Sequence, residues 1–152
     1  EGVIQKWCPE AIIIRTSWVY SAYGKNFVKT MCRLMAERDG VSVINDQIGS
    51  PTYAKDLALA ILKIADAPDW KAGIYNYSNE GEISWYDFAV AIRDFRAFDC
   101  QVNPIPTCAY PTPAQRPKYS LLDKSKIKAA FDVAVPDWKT SLANMLAEEI
   151  KN

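Results

Sequence analysis

Short apolar runs alternate along this chain with longer stretches whose apolar residues recur at helical spacing, and that alternation restricts the fold more than any other feature. "AIIIRTSWVY" (11–20) opens apolar and turns polar, the pattern of a buried parallel strand whose carboxyl end emerges at a surface. "NFVKTMCRLMAER" (26–38) sets Phe27, Val28, Met31, Leu34 and Met35 on one helical face, with Asn26 as N-cap and Gly40 as the stop. "VSVIND" (41–46) reads as the next strand. The following helix, "AKDLALAILKIADA" (54–67), carries Leu57, Ala58, Ile61, Leu62 and Ile64, which predicts cover on nearly every side; Pro68 ends it. "GIYNYSN" (73–79) alternates as a strand does, and Ser84 with Asp87 forms a capping box before the helix "WYDFAVAIRDFRAF" (85–98). The prolines of "VNPIPT" (102–107) confine that segment to a sheet edge. An extended loop, "AYPTPAQRPKYSLLD" (109–123), and a short helix, "KSKIKAAF" (124–131), lead to a last helix with Trp138, Leu142, Met145, Leu146 and Glu149/Ile150. Strand and helix in turn mean an α/β fold with a parallel sheet, one unit spanning 1–152.

Composition removes several function classes. Acidic and basic side chains number 18 each, without a strong run of either sign, which argues against nucleic acid or a charged membrane surface as partner. No apolar run approaches the ~20 residues that span a bilayer, and the first residues lack a signal-peptide pattern, so a cytoplasmic location is expected. Four cysteines without C-x-x-C spacing fit reduced, structural thiols. The absence of histidine excludes a Ser-His-Asp triad or a histidine-containing zinc site within this chain.

Three stretches could carry ligand chemistry. Glycines at 2, 24, 40, 49, 73 and 81 are too scattered for a phosphate-binding loop. "NDQIGSPTY" (45–53) therefore reads locally as a turn at Gly49, an N-cap at Ser50 or Thr52, and Pro51 in the first helical turn. Gln47, beside Asp46, is left over as a two-way hydrogen-bonding side chain. In "RTSWVYSAYGKN" (15–26), Thr16, Ser17 and Trp18 leave the strand at its carboxyl end, where open α/β sheets bind ligands. Trp18 could stack on a sugar-like ligand, or it could be a core aromatic beside a salt-bridged Arg15. In "PTPAQRP" (111–117), Arg116 is an exposed loop residue or a planar fork, held stiffly, for a diphosphate. Glu148 and Glu149 read as a solvated helix end.

"RTSWVYSAYGKNFVKTM", "DQIGSPTYAKDLA", "SWYDFA" and "YPTPAQRPKYSLLD", in this order, closely resemble the dTDP-4-dehydrorhamnose reductase family of extended short-chain dehydrogenases/reductases. The resemblance covers essentially the whole chain and implies the C-terminal part of an NAD(P)-binding Rossmann-type protein, with its substrate-binding subdomain. In the family, the 4-keto group of dTDP-4-dehydro-L-rhamnose is reduced with NADPH or NADH to dTDP-L-rhamnose, for bacterial cell-surface polysaccharide. The resemblance places Thr16 and Ser17 at the cofactor. It places Trp18, Asn26, Phe27, Gln47, Thr52 and Arg116 at the dTDP-sugar, Arg116 on its diphosphate. Magnesium accompanies some members, but no cluster of residues here names its ligands.

Two family features are missing. None of Tyr20, Tyr23, Tyr53, Tyr75, Tyr77, Tyr86, Tyr110 and Tyr119 has lysine four residues on, so the family's Tyr-x-x-x-Lys pair is not in this sequence. Neither is the Gly-rich cofactor loop. "EGVIQKW" looks like the helix that follows the catalytic lysine. The expectation is a half-protein that assigns no catalytic residue of its own and is inactive alone. Its partners would be an N-terminal Rossmann half and, through apolar faces built to meet it, a second copy in a homodimer. The alternatives are a non-catalytic subunit of the same fold, as in the regulatory subunit of methionine adenosyltransferase, and a nucleotide-sugar epimerase or dehydratase.

Overall fold

The computed structural model describes residues 1–149. In chain order its regular elements are α1 (Gly2–Trp7), β1 (Ile12–Thr16), β2 (Val19–Tyr20), α2 (Phe27–Glu37), β3 (Gly40–Ile44), β4 (Ile48–Gly49), β5 (Thr52–Tyr53) and α3 (Ala54–Ala65). Then come β6 (Gly73–Tyr77), β7 (Ile83–Ser84), α4 (Trp85–Arg96), β8 (Gln101–Ile105), a 3-10 turn (Thr107–Ala109), α5 (Ser125–Phe131) and α6 (Trp138–Glu149). The strands form pairs: β1–β6, β2–β5 and β3–β8 are parallel, β4–β7 antiparallel. Pro104 lies opposite Val43 in β3–β8, which costs little because a two-stranded pair is all edge.

Two apolar clusters organise these elements. The larger gathers Val28, Met31 and Met35 of α2, Phe88 and Ile92 of α4, and Leu142, Met145 and Leu146 of α6 over Val41, Val43 and Val102 of β3–β8. The smaller packs Ala60 and Ile64 of α3 with Ile127 and Phe131 of α5 against Tyr75 and Tyr77 of β6, joined by Ile12 and Ile14. That uses one face of β1–β6. On the other, Ile13 sits beside Ile74 in register, and neither belongs to a cluster.

The capping box is present: Ser84 Oγ accepts from Asp87 N, and Asp87 accepts from Ser84 N. Asn26 caps α2 by accepting from Lys29 N. The apolar face of the last helix is formed as expected, with Ile150 outside the described residues. None of the four cysteines is in a disulfide; Cys100 lies within the larger core and Cys32 against it, whereas Cys8 and Cys108 are exposed rather than structural.

Several local expectations need correction. "AIIIRTSWVY" is two strands, broken at Ser17 and Trp18 because Trp18 adopts φ 49°. α2 stops at Glu37, and Gly40 opens β3 instead of ending the helix. Gly49 makes no turn; it pairs with Ile83 in β4–β7. Neither Ser50 nor Thr52 caps α3. Its N-cap is Tyr53, without a side-chain cap bond, and both hydroxyl residues are fully buried, as is Pro51 ahead of the helix. α3 is not covered all round: Leu59, Ile61 and Leu62 are 57%, 46% and 59% exposed. Glu148 is partly solvated at the end of α6, as expected, but is also engaged: it accepts from the Tyr53 phenol at 2.6 Å and pairs with Lys55.

Candidate functional site

β1 and β6 end side by side, Thr16 opposite Tyr77, so residues 16–18 leave at the carboxyl end of a parallel pair. A positive φ on a residue as large as tryptophan costs about 1–2 kcal/mol, so something must hold it. The 50–52 segment does. Thr16 Oγ1 donates to Thr52 Oγ1 at 3.0 Å, and Thr52 Oγ1 donates to Ser17 O at 2.6 Å. Ser17 Oγ donates to Ser50 O at 3.0 Å, while Thr52 N donates to Trp18 O at 3.2 Å. Of the two hydroxyls expected to cap a helix, that of Thr52 instead helps clamp two chain segments together, while Ser50 joins the clamp through its carbonyl.

The clamp fixes the Trp18 indole. It stacks on Trp85 with ring centroids 3.7 Å apart and planes at 17°. A Cβ on Gly49 would stand 2.9 Å from Trp18 Cζ2 and 2.8 Å from Ser120 Oγ. Glycine is required there for close approach, not for a turn.

Behind the clamp lies a buried polar hub that sequence reasoning missed. Asn79, fully buried, accepts from Tyr53 N at 2.7 Å through Oδ1. Its Nδ2 donates to Asp56 Oδ2 at 2.7 Å and to Ser141 Oγ at 2.9 Å. Ser50 Oγ donates to Asn79 O, and Asn79 N donates to Pro51 O at 3.0 Å. One side chain thus joins the end of β6, the start of α3 and α6. Beside it, burial raises the phenol pKa of Tyr53, reinforced by its hydrogen bond to Glu148. Burial does the same to Tyr20 and Tyr77, so all three phenols stay protonated.

Gln47 is buried, and its Nε2 donates to Thr107 Oγ1 at 3.1 Å. Thr107 in turn donates to Asp46 Oδ1 from its hydroxyl at 2.6 Å and from its backbone N–H at 2.8 Å. Those bonds, the hydroxyl's foremost, hold the Asp46 pKa below its ordinary value. The 45–49 segment is therefore tied to the turn after β8. Its far side meets the proline-rich loop, where Ile48 N donates to Lys118 O and Ser120 N donates to Ile48 O, each at 2.8 Å. Arg116 lies just before this junction, exposed, and no hydrogen bond or ion pair joins it to another described residue.

The structure thus brings Thr16, Ser17, Trp18 and Thr52 together in the clamp, while the Gln47 side chain is turned to Thr107. Phe27 packs between Trp85 and Phe88. Asn26 is engaged at both ends, donating through Nδ2 to Ser21 O at 2.8 Å. Arg15 is a salt-bridged surface group, paired with Glu1. Among the described residues no group of three or more His, Cys, Asp or Glu side chains converges to hold a metal ion, so no magnesium ligand is named. No described helix is long and apolar enough to cross a membrane. Trp85 and Asn79 had one signal each in the sequence: the first lies in "SWYDFA", the second just beyond an alternating strand.

Parallel strand pairs flanked by helices, superposing closely on solved structures, give the chain the fold of a Rossmann-type extended short-chain dehydrogenase/reductase. The chain belongs to the RmlD substrate binding domain family, whose model matches residues 1–150. A dTDP-4-dehydrorhamnose reductase from Aggregatibacter actinomycetemcomitans is 45% identical over 157 residues, covering 97% of this chain and 53% of the relative. The crystal structure of a dTDP-4-dehydrorhamnose reductase from Clostridium acetobutylicum superposes with TM-score 0.92 at 37% identity, covering 97% of this chain and 51% of that one. A Bacillus anthracis dTDP-4-dehydrorhamnose reductase in complex with NADP gives TM-score 0.83 at 40% identity, covering 90% and 48%. The chain spans about half the length of the relatives it matches.

Proposed function

We propose that this chain is the C-terminal, sugar-nucleotide-binding half of a dTDP-4-dehydrorhamnose reductase, reducing the 4-keto group of dTDP-4-dehydro-L-rhamnose to give dTDP-L-rhamnose. The observation that carries the reading is the clamp of 16–18 onto 50–52 at the carboxyl ends of β1 and β6. It fixes an indole and two hydroxyls in one wall, as a site for a sugar beside a cofactor requires.

In this reading Thr16 and Ser17 face the nicotinamide end of NADPH, which when bound supplies the hydride. The fit is partial, because these hydroxyls make one wall of a cofactor site and the chain has no Gly-rich loop. Trp18 meets the sugar nucleotide, with Asn26 and Phe27 beside it. Gln47 and Thr52 hold the wall from behind, and Arg116 takes the diphosphate bidentately. The Tyr-x-x-x-Lys pair and the Gly-rich loop come from an N-terminal Rossmann half of the same protein. Its docking surface would be the open face of β1–β6, the exposed Val3, Ile4 and Trp7 of α1 and, where it wraps round the other side, the outward Leu59 and Leu62 of α3. A cytoplasmic location follows from that chemistry.

The test is the full-length protein with dTDP-4-dehydro-L-rhamnose and NADPH. Substrate-dependent NADPH oxidation is the expected result, and its absence in folded protein overturns the reading. Trp18→Ala and Arg116→Ala should each weaken dTDP-sugar binding and leave NADPH affinity nearly unchanged.

A further inference from the structure

Trp85 is the first residue of α4, directly after the Ser84 that caps it. One flank of its ring lies flat on Trp18, and the ring also meets Phe27 at 4.7 Å with planes at 55°. Phe27 continues inward by stacking on the fully buried Phe88 at 5.6 Å. An aromatic series thus runs from the clamp into the larger core. One face of the Trp18 ring is consequently occupied by Trp85, and because Trp18 is only half-buried, part of the ring is left for a ligand to meet.

The support under that ring has a single origin. Ser84 pairs with Ile48 and Ile83 with Gly49, so β4–β7 delivers both Trp85 and the glycine that lies against the Trp18 ring. The capping box then sets where α4 begins, and with it the position of Trp85. Without Trp85 the indole keeps its clamped backbone but loses the surface that fixes its plane. Binding would then have to order that side chain.

We propose that Trp85 is a positioning residue for the sugar-nucleotide site, acting through Trp18 by holding the plane of the indole on which the substrate rests. This rests on the reading that Trp18 contacts the sugar nucleotide.

The experiment uses the full-length protein, with dTDP-glucose as a stable nucleotide-sugar probe followed by calorimetry. Trp85→Ala should weaken dTDP-glucose by about tenfold, the upper end of what an aromatic pair contributes, with NADPH affinity held within about twofold. Trp85→Phe, which restores a flat ring, should recover most of the loss. Trp85→Leu keeps apolar volume at the start of α4 without a flat face, so it should bind as weakly as the alanine variant. This keeps the test open should alanine unfold the protein. On a Trp18→Ala background, Trp85→Ala should add no further loss, because its effect passes through Trp18. The exciton-coupled circular dichroism of the stacked indoles should vanish in either single variant.

Full additivity of the two alanine substitutions, or wild-type affinity in folded Trp85→Leu, overturns the proposal. If Trp18→Ala weakens dTDP-glucose and Trp85→Ala does not, the positioning role alone fails. If Trp18→Ala leaves the affinity unchanged, the reading of the site fails, and the positioning role falls with it.

Discussion

The region built on β3 and β8 is closed on itself, and the region built on β1 and β6 is not. Around β3–β8, three helices bury Leu142, Met145, Phe88, Ile92 and Val28 at or near zero exposure. Around β1–β6, two helices cover one face, while Ile13 and Ile74 share the other and α3 turns Leu59 and Leu62 outward. Each pair leaves one face uncovered by this chain's helices. That of β3–β8 carries the polar Ser42, Gln101 and Asn103, whereas that of β1–β6 carries Ile13 and Ile74, which a parallel pair normally buries. The same kinds of residue have therefore been used to finish one core and to leave the other half-built, and the site lies on their boundary. The indole of Trp18 leans on the closed region, while its backbone leaves from the open one.

If that contrast is right, deletions in the closed region should cost most. Leu142→Ala removes a fully buried side chain from α6 and should destabilise by about 3–4 kcal/mol in urea denaturation. A loss under about 1 kcal/mol would mean that this core is not the rigid partner it looks to be. Asn79→Ala comes next, since it removes the hub between the regions. Tyr53 N–H, the Asp56 carboxylate and the Ser141 hydroxyl would lose a partner together, at a cost of about 2–3 kcal/mol. Because this hub ties the two regions together, hydrogen exchange in the variant should rise at the start of α3 and of α6, and leave the β3–β8 amides protected.

Leu62→Ala gives a smaller effect and the sharper contrast. At 59% exposure it should change the stability of this chain by about 0.5 kcal/mol or less. In the full-length protein the same substitution should cost about 2 kcal/mol if a Rossmann half covers α3. Equal, negligible costs in both would show that this face stays open to water.

Element types were legible because each rests on local pattern: the spacing of α2, the capping box before α4, the prolines of β8. What was not legible depended on partners distant in the chain. Ser50 and Thr52 look like helix caps because their neighbours in sequence offer nothing better. Their actual partners are Asn79 and Ser17. The break at Trp18 is likewise set by bonds to residues 50–52, which no window around 18 contains. The apolar wealth of α3 told that it could be covered, but not by which surface. At the site, the "TSW" and "GSPT" strings were found as separate candidates, and only the fold made them one wall. Asn79 stayed hidden because a buried asparagine carries no periodicity of its own.

The smallest effect tests how the wall is held at its other end. Asp46 accepts from the Thr107 hydroxyl and backbone N–H, and its pKa lies below the ordinary value of 3.8. A carboxylate whose folded pKa is depressed contributes stability above its unfolded value, and that contribution is lost as pH falls through the folded pKa. The tie between 45–49 and the turn after β8 should thus persist at neutral pH and weaken only below about pH 4, near the aspartate reference. Thr107→Val removes the hydroxyl and keeps the backbone donor. In a carboxyl-carbon NMR titration the Asp46 pKa should move up toward 3.8 without fully reaching it, and the side-chain amide of Gln47, deprived of its acceptor, should exchange faster. An unmoved Asp46 titration would show that the hydroxyl does not anchor this segment, leaving the backbone bond at Thr107 and the Ile48 pairing to hold it.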